Sequence, residues 1–425
     1  MLLDSGVFNL LEVLTVDEAR DKIISTLKDH GYGEGKIGTE IITSESALDR
    51  VLAESLQAAM DLPPFSRSTV DGYAVRAEDT YGTSESFPGI YKVVGKVLMG
   101  EQPRVKAGKD DVVEIATGGM LPQEADAVVM IEETESFSED SILINAPVSP
   151  GENVIKAGED VVKGEKVFEK GQLIRKQDIG ALAALGITEI LVYKQPKIGI
   201  VSTGDEVVEP SRELSPGKIR DINSWALKST SLDAGAVPLL YGISPDDKDE
   251  LMARVKKAVS ETDLVIISGG SSVGERDVSY EVIDSLGKET GGVIFHGISI
   301  KPGKPTIFGM VDDKPVFGLS GNPVSAMVTF ELFVKEGINV LKGQKRQLPT
   351  PTIRGTLTRN LSSKGGREDY VRVKLEKDAK GNIKVVPVLG EAGLIFTLTE
   401  ADGLIRIPQN TEGIMSGEEV EVYIF

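Results

Sequence analysis

Two short stretches, KIGIVST at residues 197–203 and DLVIISGG at residues 263–270, decide the fold class of this chain. Each is an apolar run rich in β-branched residues that ends in small polar residues or glycine, which is typical of a buried strand followed by a tight turn. PVFGLSG at residues 315–321 repeats the pattern, and helical segments such as DKDELMARVKKAVSE at residues 247–261 lie between the runs. Strands that alternate with helices predict a mainly parallel sheet covered on both faces, a three-layer α/β domain.

The sequence on either side predicts further domains of other kinds. Short β-branched runs separated by glycine, proline and aspartate between residues 62 and 148 predict a small β-rich domain. Alternating residues after Pro349 predict a compact carboxyl-terminal β domain. Residues 15–30 and 44–59 carry apolar positions at helical spacing and predict two helices that pack together.

The chain is therefore expected to be a multidomain protein of α/β plus β class. Its expected parts are a discontinuous amino-terminal lobe at 1–60 and 148–190, an inserted β-rich domain at 61–147, the α/β domain at 191–345 and the carboxyl-terminal β domain at 346–425.

Composition excludes several classes of function. The formal net charge of -19 argues against a protein that binds nucleic acid or membranes in general. No apolar run approaches the ~20 residues needed to cross a bilayer, and no basic stretch precedes an apolar one at the amino terminus, so we expect a cytoplasmic protein. The chain has no cysteine, which excludes disulfides and thiolate metal sites. Any bound metal must therefore meet oxygen ligands, the imidazoles of His30 or His296, or ligands that a substrate brings.

Four loops of the α/β domain are predicted to meet at one edge of the sheet. They are STGDE at 202–206, SGGSSVGERD at 268–277, IKPGKP at 300–305 and LSGNP at 319–323. Ligands of open α/β sheets gather beyond the carboxyl ends of the strands, and glycines let backbone N–H groups approach an anion closely. A glycine after a strand alone indicates only a tight turn, but four such loops favour a phosphate or oxyanion site. The candidate substrate-binding residues in these loops are Gly204, Asp205, Ser268, Gly269, Gly270, Ser272, Gly274, Lys301, Lys304, Gly321, Asn322 and Pro323.

Carboxylates follow the same strands. They are Asp205, Glu206, Asp246, Glu275 and Asp277, which could share a hard divalent cation, magnesium, with substrate phosphates. The alternatives remain open: Asp246 and Asp277 can cap the helices that follow them, and Lys301 with Lys304 can be ordinary solvated lysines.

The inserted domain has its own polar segments. STVDGYAV at 68–75 contains Asp71 and TGGMLP at 117–122 contains Thr117. On their own, both residues could simply form turns.

The motifs PPFSRSTVDGYAVR, TGGMLPQEADAVVM, AGEDV, STGDE, SGGSSVGERD, IKPGKP and LSGNPVSA occur in this order. In this combination the chain resembles the molybdopterin molybdenumtransferase family, the MoeA proteins and the E domain of gephyrin. The resemblance implies an elongated subunit with a MoaB/MogA-like α/β domain and a barrel-like carboxyl-terminal domain. It also implies a homodimer with a cleft that receives groups from the partner subunit.

The reaction implied by the resemblance is insertion of molybdate into adenylylated molybdopterin with release of AMP, the last step of molybdenum cofactor synthesis. A divalent cation, Mg²⁺, and an upstream molybdopterin adenylyltransferase are implied with it. A chain without cysteine can perform this chemistry because the sulfur ligands belong to the pterin. The functionally sensitive positions of the family fall on Asp71, Thr117, Asp160, Glu206, Asp246 and Asp277.

Among these positions, the resemblance assigns Glu206 and Asp277 to the cation. Arg367 and Arg372 resemble arginines that line the cleft. The chain departs from the commoner family pattern at Ser271, His296 and Ser320, and Ser320 in place of proline is expected to loosen its loop.

Two other functions remain open, adenylyltransferase activity of the α/β domain and a non-catalytic scaffold like gephyrin. The motifs do not separate molybdate from tungstate.

Overall fold

A single long helix begins the described part of the chain. The structure is a computed structural model that describes residues 13–269, 277–345 and 350–424, and its helix α1 spans Val16–Asp29. The Thr15 side chain accepts a hydrogen bond from the Glu18 N–H, and the Glu18 carboxylate accepts one from the Thr15 N–H. This capping box satisfies two backbone donors that a helix start leaves free.

The helix predicted over residues 44–59 is wrong. Strand β1 (Thr39–Thr43) leads into a 3-10 turn at Ser44–Ser46, and the next regular element is strand β2 (Leu56–Gln57). Asp49 has a φ of 60°, which ends any helix, and the backbone N–H groups of Leu52 and Ala53 donate to the carbonyls of Gln172 and Leu191. The extended backbone buries consecutive residues, whereas a helix would bury residues three or four positions apart, as the spacing in the sequence predicted.

The inserted domain is a mixed β-sheet. Its strands are β3 (Arg67–Ser68), β4 (Gly72–Val75), β5 (Gly89–Val97), β6 (Asp111–Ile115), β7 (Ala127–Met130), β8 (Thr134–Ser138), β9 (Ser141–Ile144) and β10 (Val154–Ile155). Six of them form a sheet in the order β7-β4-β6-β5-β9-β8, and β3 pairs with β10. Successive residues such as Ala74 and Val75 point into two separate apolar clusters on the opposite faces. Both sheet faces are therefore covered.

The chain then returns to the amino-terminal lobe. Strand β11 (Lys166–Phe168), helix α2 (Lys176–Ala184) and strand β12 (Glu189–Tyr193) follow in order. β12 pairs antiparallel with β1, and β11 pairs with β2. Leu52, Leu182 and Val192 share one core, so segments from both sides of the insertion build the lobe.

The α/β domain has the predicted mainly parallel sheet. Its elements are β13 (Lys197–Thr203), β14 (Val207–Val208), β15 (Ile219–Arg220), α3 (Asn223–Asp233), β16 (Val237–Ser244), α4 (Lys248–Glu261), β17 (Leu264–Ser268), α5 (Val278–Leu286), β18 (Gly292–His296), β19 (Ile300–Lys301), β20 (Ile307–Val311), β21 (Lys314–Leu319), α6 (Pro323–Thr329) and α7 (Lys335–Leu341), with a π-helical turn at Phe330–Val334. The strand order is β16-β13-β17-β21-β20-β18, in which the first four are mutually parallel and β20 is antiparallel to both neighbours. Because the first four are parallel, their carboxyl ends share one edge.

Helices cover both faces of this sheet. Helices α4 and α5 pack on one face, while α3, α6 and α7 share the core on the other. Helix α1, whose residues were assigned to the amino-terminal lobe, also places Ile23 and Leu27 in that second core and packs beside α7. An apolar stripe at helical spacing shows which face of a helix is buried, but not against which core. The domain boundaries given above stay predictions.

The carboxyl-terminal domain is a closed five-stranded barrel. Its elements are β22 (Thr352–Leu357), β23 (Leu361–Ser362), β24 (Glu368–Lys377), β25 (Ile383–Pro387), α8 (Phe396–Thr399), β26 (Gly403–Ile407), β27 (Gly413–Ile414) and β28 (Glu419–Ile424). The order β24-β25-β22-β28-β26 closes through pairing of β26 with β24. Strand β19 of the preceding domain pairs with β24, so backbone hydrogen bonds join the barrel to the α/β domain.

None of the helices within the described ranges has both the length and the apolar character needed to span a membrane.

Candidate functional site

A cleft of about 1490 Å³ opens where the α/β domain meets the barrel. All four predicted loops contribute to its lining, and segments 367–372 and 389–396 of the barrel domain form another wall. The predicted site residues that line it are Gly204, Glu206, Asp246, Ser268, Gly269, Lys301, Lys304, Gly321, Asn322, Pro323, Arg367 and Arg372. Gly270, Ser272 and Gly274, together with Ser271 and Glu275, lie outside the described residues. The shared edge of the parallel strands thus brings distant loops into one cavity.

The loop after β13 is linked to the loop after β16. The Thr203 hydroxyl donates to the Asp246 carboxylate at 3.0 Å, and the Asp246 N–H donates to the Asp205 carboxylate at 3.2 Å. Helix α4 is capped by Asp247, whose side chain accepts from the Glu250 N–H. Asp246 therefore does not serve as the cap, and its carboxylate lies in the cleft wall. Asp205, which accepts this hydrogen bond from the Asp246 backbone, is not among the described residues that line the cleft.

Asp277 is the cap of helix α5. Its carboxylate accepts from the Tyr280 N–H at 3.0 Å and lies 3.3 Å from Nε2 of His296, without hydrogen-bond geometry to that ring. Burial raises the pKa of the Asp277 carboxyl, and the Tyr280 hydrogen bond and the neighbouring His296 oppose that rise. Asp277 is not among the described residues that line the cleft, whereas Glu206 is. The geometry thus matches the capping alternative, and a role for Asp277 at a cation stays a prediction.

The loops after β17 and β21 are held against each other. The Gly269 N–H donates to the Leu319 carbonyl at 3.1 Å. Gly269 has a φ of +107°, and a Cβ there would lie 2.3 Å from the Thr203 carbonyl oxygen, so only glycine fits. The buried Ser320 hydroxyl accepts from the Asn322 N–H at 3.2 Å. Ser320, expected to loosen its loop, instead fixes the turn ahead of Asn322.

Asn223 is a site residue that the motifs did not reveal. It begins helix α3, lines the cleft and is only 8% exposed. Its amide nitrogen donates to the Ser268 hydroxyl at 2.8 Å and to the Gly321 carbonyl at 2.9 Å, while its Oδ1 has no partner within the described ranges. Asn223 therefore ties two glycine loops together and leaves an acceptor buried at the cleft. The only local signal was a polar DIN segment just ahead of a helix.

Basic side chains lie on both walls of the cleft. Lys301 and Lys304 are exposed, and Lys301 pairs through the backbone with Asp369 of β24. Gly303, between the lysines, has a φ of +108°, and a Cβ there would meet Thr329 Cγ2 at 2.2 Å. The lysines are therefore held apart by a turn that requires glycine.

The barrel domain supplies two more basic side chains, both arginines. The Arg367 Nε donates to Asp369 at 2.8 Å. Arg372 is buried, its Nη2 donates to the Gly390 carbonyl at 2.6 Å, and burial lowers the pKa of its guanidinium. Lys218 and Arg220 also line the cleft and were not predicted. The described lining carries six basic and five acidic side chains, so the cleft is close to neutral in a chain that is strongly acidic, which suits an anionic ligand.

The predicted residues of the inserted domain, and Asp160 of the amino-terminal lobe, do not line this cleft. Asp71 accepts hydrogen bonds from the Thr117 N–H at 2.7 Å and from the Thr117 hydroxyl at 3.1 Å, and both residues are exposed. Asp160 is exposed as well, with its N–H bonded to the Leu62 carbonyl at 3.0 Å. The structure brings Asp71 and Thr117 to each other, but not to the loops of the α/β domain in the same chain.

Oxygen donors in the cleft fit a hard divalent cation. Within the described ranges there is no group of three or more His, Asp or Glu side chains that could hold a metal by itself. Magnesium is usually held by one or two carboxylates together with substrate phosphates and water. Glu206 and Asp246 line the same cavity as the lysines and offer such carboxylates.

Comparisons with known proteins give a consistent result along the chain. Residues 14–186 match the MoeA N-terminal region (domain I and II), residues 199–340 match a domain described as "Probable molybdopterin binding domain", and residues 354–425 match the MoeA C-terminal region (domain IV). A molybdopterin biosynthesis protein of Methanocaldococcus jannaschii is 39% identical, over 98% of this chain and 99% of its own. The molybdopterin molybdenumtransferase of Haemophilus influenzae is 34% identical, over 97% and 99%.

A solved structure of similar fold is the molybdopterin biosynthesis MoeA protein of Pyrococcus horikoshii. One crystal structure is 38% identical with a TM-score of 0.77, covering 97% of this chain and 99% of that one. A second is 32% identical with a TM-score of 0.82, covering 97% and 100%.

Proposed function

This chain belongs to the MoeA family, and on that basis we propose that it is a molybdopterin molybdenumtransferase that completes the molybdenum cofactor. The observation that carries the proposal is the cleft between the α/β domain and the barrel, where glycine loops, lysines and carboxylates converge. Its substrates are adenylylated molybdopterin and molybdate, or tungstate as the alternative oxyanion. The products are the cofactor and AMP.

Positive charge and backbone donors prepare the cleft for phosphates. Lys301 and Lys304 on one wall and Arg367 with Arg372 on the other surround the cavity. Gly269 and Gly303 adopt positive φ and let main chain approach a ligand closely. In the proposed reaction a water molecule cleaves the phosphoanhydride bond, so that AMP leaves and molybdopterin keeps its own phosphate. The two dithiolene sulfurs replace two oxygens of molybdate, which leave as water with protons from the thiols and the solvent, and molybdenum remains Mo(VI). The protein's share is positioning and neutralisation of negative charge rather than covalent catalysis.

A divalent cation completes this arrangement. Glu206 and Asp246 would hold it, since both carboxylates line the cleft, and Asp205 orients Asp246 through the backbone. When bound, Mg²⁺ supplies charge neutralisation at the phosphoanhydride oxygens. The Thr203 hydroxyl keeps the Asp246 carboxylate in place by donating to it. Asp277 is a further candidate ligand for this cation, which it would approach from the start of α5, next to the lining residue Val278.

The enzyme acts as a homodimer in this proposal. Two large apolar side chains of this region are exposed: Ile219, which lines the cleft, is 53% exposed, and Trp225, two residues after Asn223 on α3, is 62% exposed. Such side chains are typical of an interface between subunits. In a dimer, the exposed Asp71, Thr117 and Asp160 of one copy would reach the cleft of the other copy. They do not line the cleft of their own chain. An upstream molybdopterin adenylyltransferase would supply the substrate.

A reconstituted reaction tests this function. Purified protein is incubated with adenylylated molybdopterin, MgCl₂ and molybdate, and the release of AMP is measured together with activation of a cofactor-free molybdenum enzyme. We expect AMP and active cofactor in equal amounts. Formation of adenylylated molybdopterin and pyrophosphate from molybdopterin and a nucleoside triphosphate, with no AMP release in the first mixture, would instead indicate an adenylyltransferase. No reaction under either condition would indicate a scaffold.

A further inference from the structure

The barrel domain contributes a group of large apolar side chains to the cleft, on the wall that faces the lysines and glycine loops of the α/β domain. Leu389 is 51% exposed and Phe396 is 74% exposed, and both line the cavity together with Ile395. Large apolar side chains that lie in water next to several charged groups are an unusual lining for an anion site. We call Leu389, Ile395 and Phe396 the apolar wall.

Hydrogen bonds at both ends fix the segment that carries this wall. The guanidinium of Arg372 donates to the Gly390 carbonyl at 2.6 Å, and the Val324 N–H of helix α6 donates to the Ala392 carbonyl at 3.1 Å. The Thr397 hydroxyl donates to the Leu394 carbonyl at 2.6 Å and closes the turn that contains Phe396. The wall is therefore preformed, and a ligand that covers it need not order the segment first.

The wall lies next to the glycine loop after β21. A Cβ on Gly393 would be 3.5 Å from the Asn322 Oδ1, so the wall segment and the LSGNP loop are in contact. A single ligand can therefore place an anionic group at the loops and another part of itself on the wall. Phe396 offers an open aromatic face, and such a face favours a planar, heteroaromatic ring, which it binds by stacking.

We propose that the apolar wall is a binding subsite for a planar heteroaromatic ring of the substrate, with Phe396 as the stacking residue and Leu389 and Ile395 at its border. The subsite rests on the proposed function, whose substrate carries two such rings, a purine and a pterin. The apolar wall recognises the planar aromatic face that the purine and the pterin share. Loss of the ring contact weakens binding of ring-containing ligands and leaves the binding of a phosphate group unchanged.

Ligand binding to the full-length protein tests this subsite without turnover. Dissociation constants of AMP, of a phosphate-free pterin and of ribose 5-phosphate, which has no aromatic ring, are measured for wild type and for Phe396→Ala. We expect Phe396→Ala to weaken AMP, the pterin or both by about tenfold, within the range reported for base stacking. Ribose 5-phosphate should bind equally to both proteins. The ligand that loses affinity identifies the ring that occupies the wall.

Two further variants control this experiment. Phe396→Trp retains a stacking face and should keep wild-type affinity, with its indole fluorescence quenched by the ring ligand. Leu394→Ala removes a side chain of the same turn that is also exposed, at 54%, but does not line the cleft, and it should change nothing.

Equal affinities of wild type and Phe396→Ala for both ring ligands would overturn the subsite. If ribose 5-phosphate still binds in that case, the proposed function stands without it. If the wild-type protein binds none of the three ligands, the subsite and the proposed function fail together.

Discussion

The cleft of the α/β domain and the surface of the inserted domain hold polar site residues of similar chemical kinds in very different surroundings. In the cleft, Asn223 and Asp246 are fixed by hydrogen bonds that join loops far apart in sequence. In the inserted domain, Asp71 and Thr117 bond to each other at an exposed surface. Parallel strands assemble the first set within a single chain, whereas the second set can reach a cleft only in an assembly. Substitutions of Lys301, Asp277 and Asp71 test whether this contrast holds.

The largest effect is expected for a basic side chain of the cleft. Lys301→Ala should lower the rate of AMP release by about 10²–10³, the typical cost of removing a group that stabilises developing negative charge. Lys256→Ala is the matched control, because Lys256 is an exposed lysine of the same domain that does not line the cleft. Equal rates for the two variants would show that the cleft is not the reaction site.

A smaller loss, about 10²-fold, is expected for Asp277→Asn. Asparagine caps a helix as well as aspartate does, so the fold should be kept. Burial raises the pKa of the Asp277 carboxyl, so its contribution to stability is present below the ordinary pKa of aspartate and is lost as the pH rises. The variant should therefore unfold at the same or a higher temperature at neutral pH, and any gain should shrink in acid. Full cofactor yield with purified substrate would reduce Asp277 to a helix cap.

The inserted domain should respond more weakly. Asp71→Asn keeps an oxygen that can accept from Thr117, but removes one negative charge, and we expect about a tenfold lower rate with no change in unfolding temperature. Asp140→Asn is the control, since Asp140 is an exposed carboxylate of the same domain that likewise accepts from side-chain hydroxyls. A normal rate for Asp71→Asn would remove the inserted domain from the reaction.

The smallest effect lies outside both regions and concerns stability alone. Lys342 is buried at the end of α7, its ammonium donates to the Ala234 carbonyl, and burial lowers its pKa to about 8. Because the unfolded chain binds this proton up to a pH of about 10.4, wild-type stability gains from rising pH between these two values. Lys342→Met should raise the free energy of unfolding by about 1–2 kcal/mol at pH 7, and urea unfolding should show a smaller gain at pH 10. An equal gain in unfolding free energy at pH 7 and at pH 10 would contradict the lowered pKa of Lys342. A changed rate of AMP release would show that Lys342 affects activity as well as stability.

The parts of the fold and site with strong local signals could be predicted from the sequence. An apolar run followed by glycine marks a strand end, and parallel strands then force Gly204, Gly269 and Gly321 to one edge. Alternation in β24, β25 and β28 predicts a compact β domain, whereas its barrel-like form was implied only by the family resemblance. These features depend on residues that are neighbours in the chain.

Features that depend on distant partners could not be predicted. Asn223 bonds to residues 45 and 98 positions away, so nothing near it in sequence reveals its role. The segment 44–59 has helical spacing, but pairing with residues 172 and 191 keeps it extended. The approach of Asp277 to His296 and the docking of α1 on the α/β core likewise arise only when separate elements pack.

Mixing two inactive subunits is the most direct test of the central claim that residues of the inserted domain serve the cleft of another copy. Asp71→Ala and Lys301→Ala proteins are unfolded together, refolded at equal concentration and assayed for AMP release. Random pairing should restore about a quarter of the wild-type rate, because half of the dimers then contain one intact composite site. A mixture no more active than its two components, with mixed dimers shown to be present, would contradict a site shared between subunits.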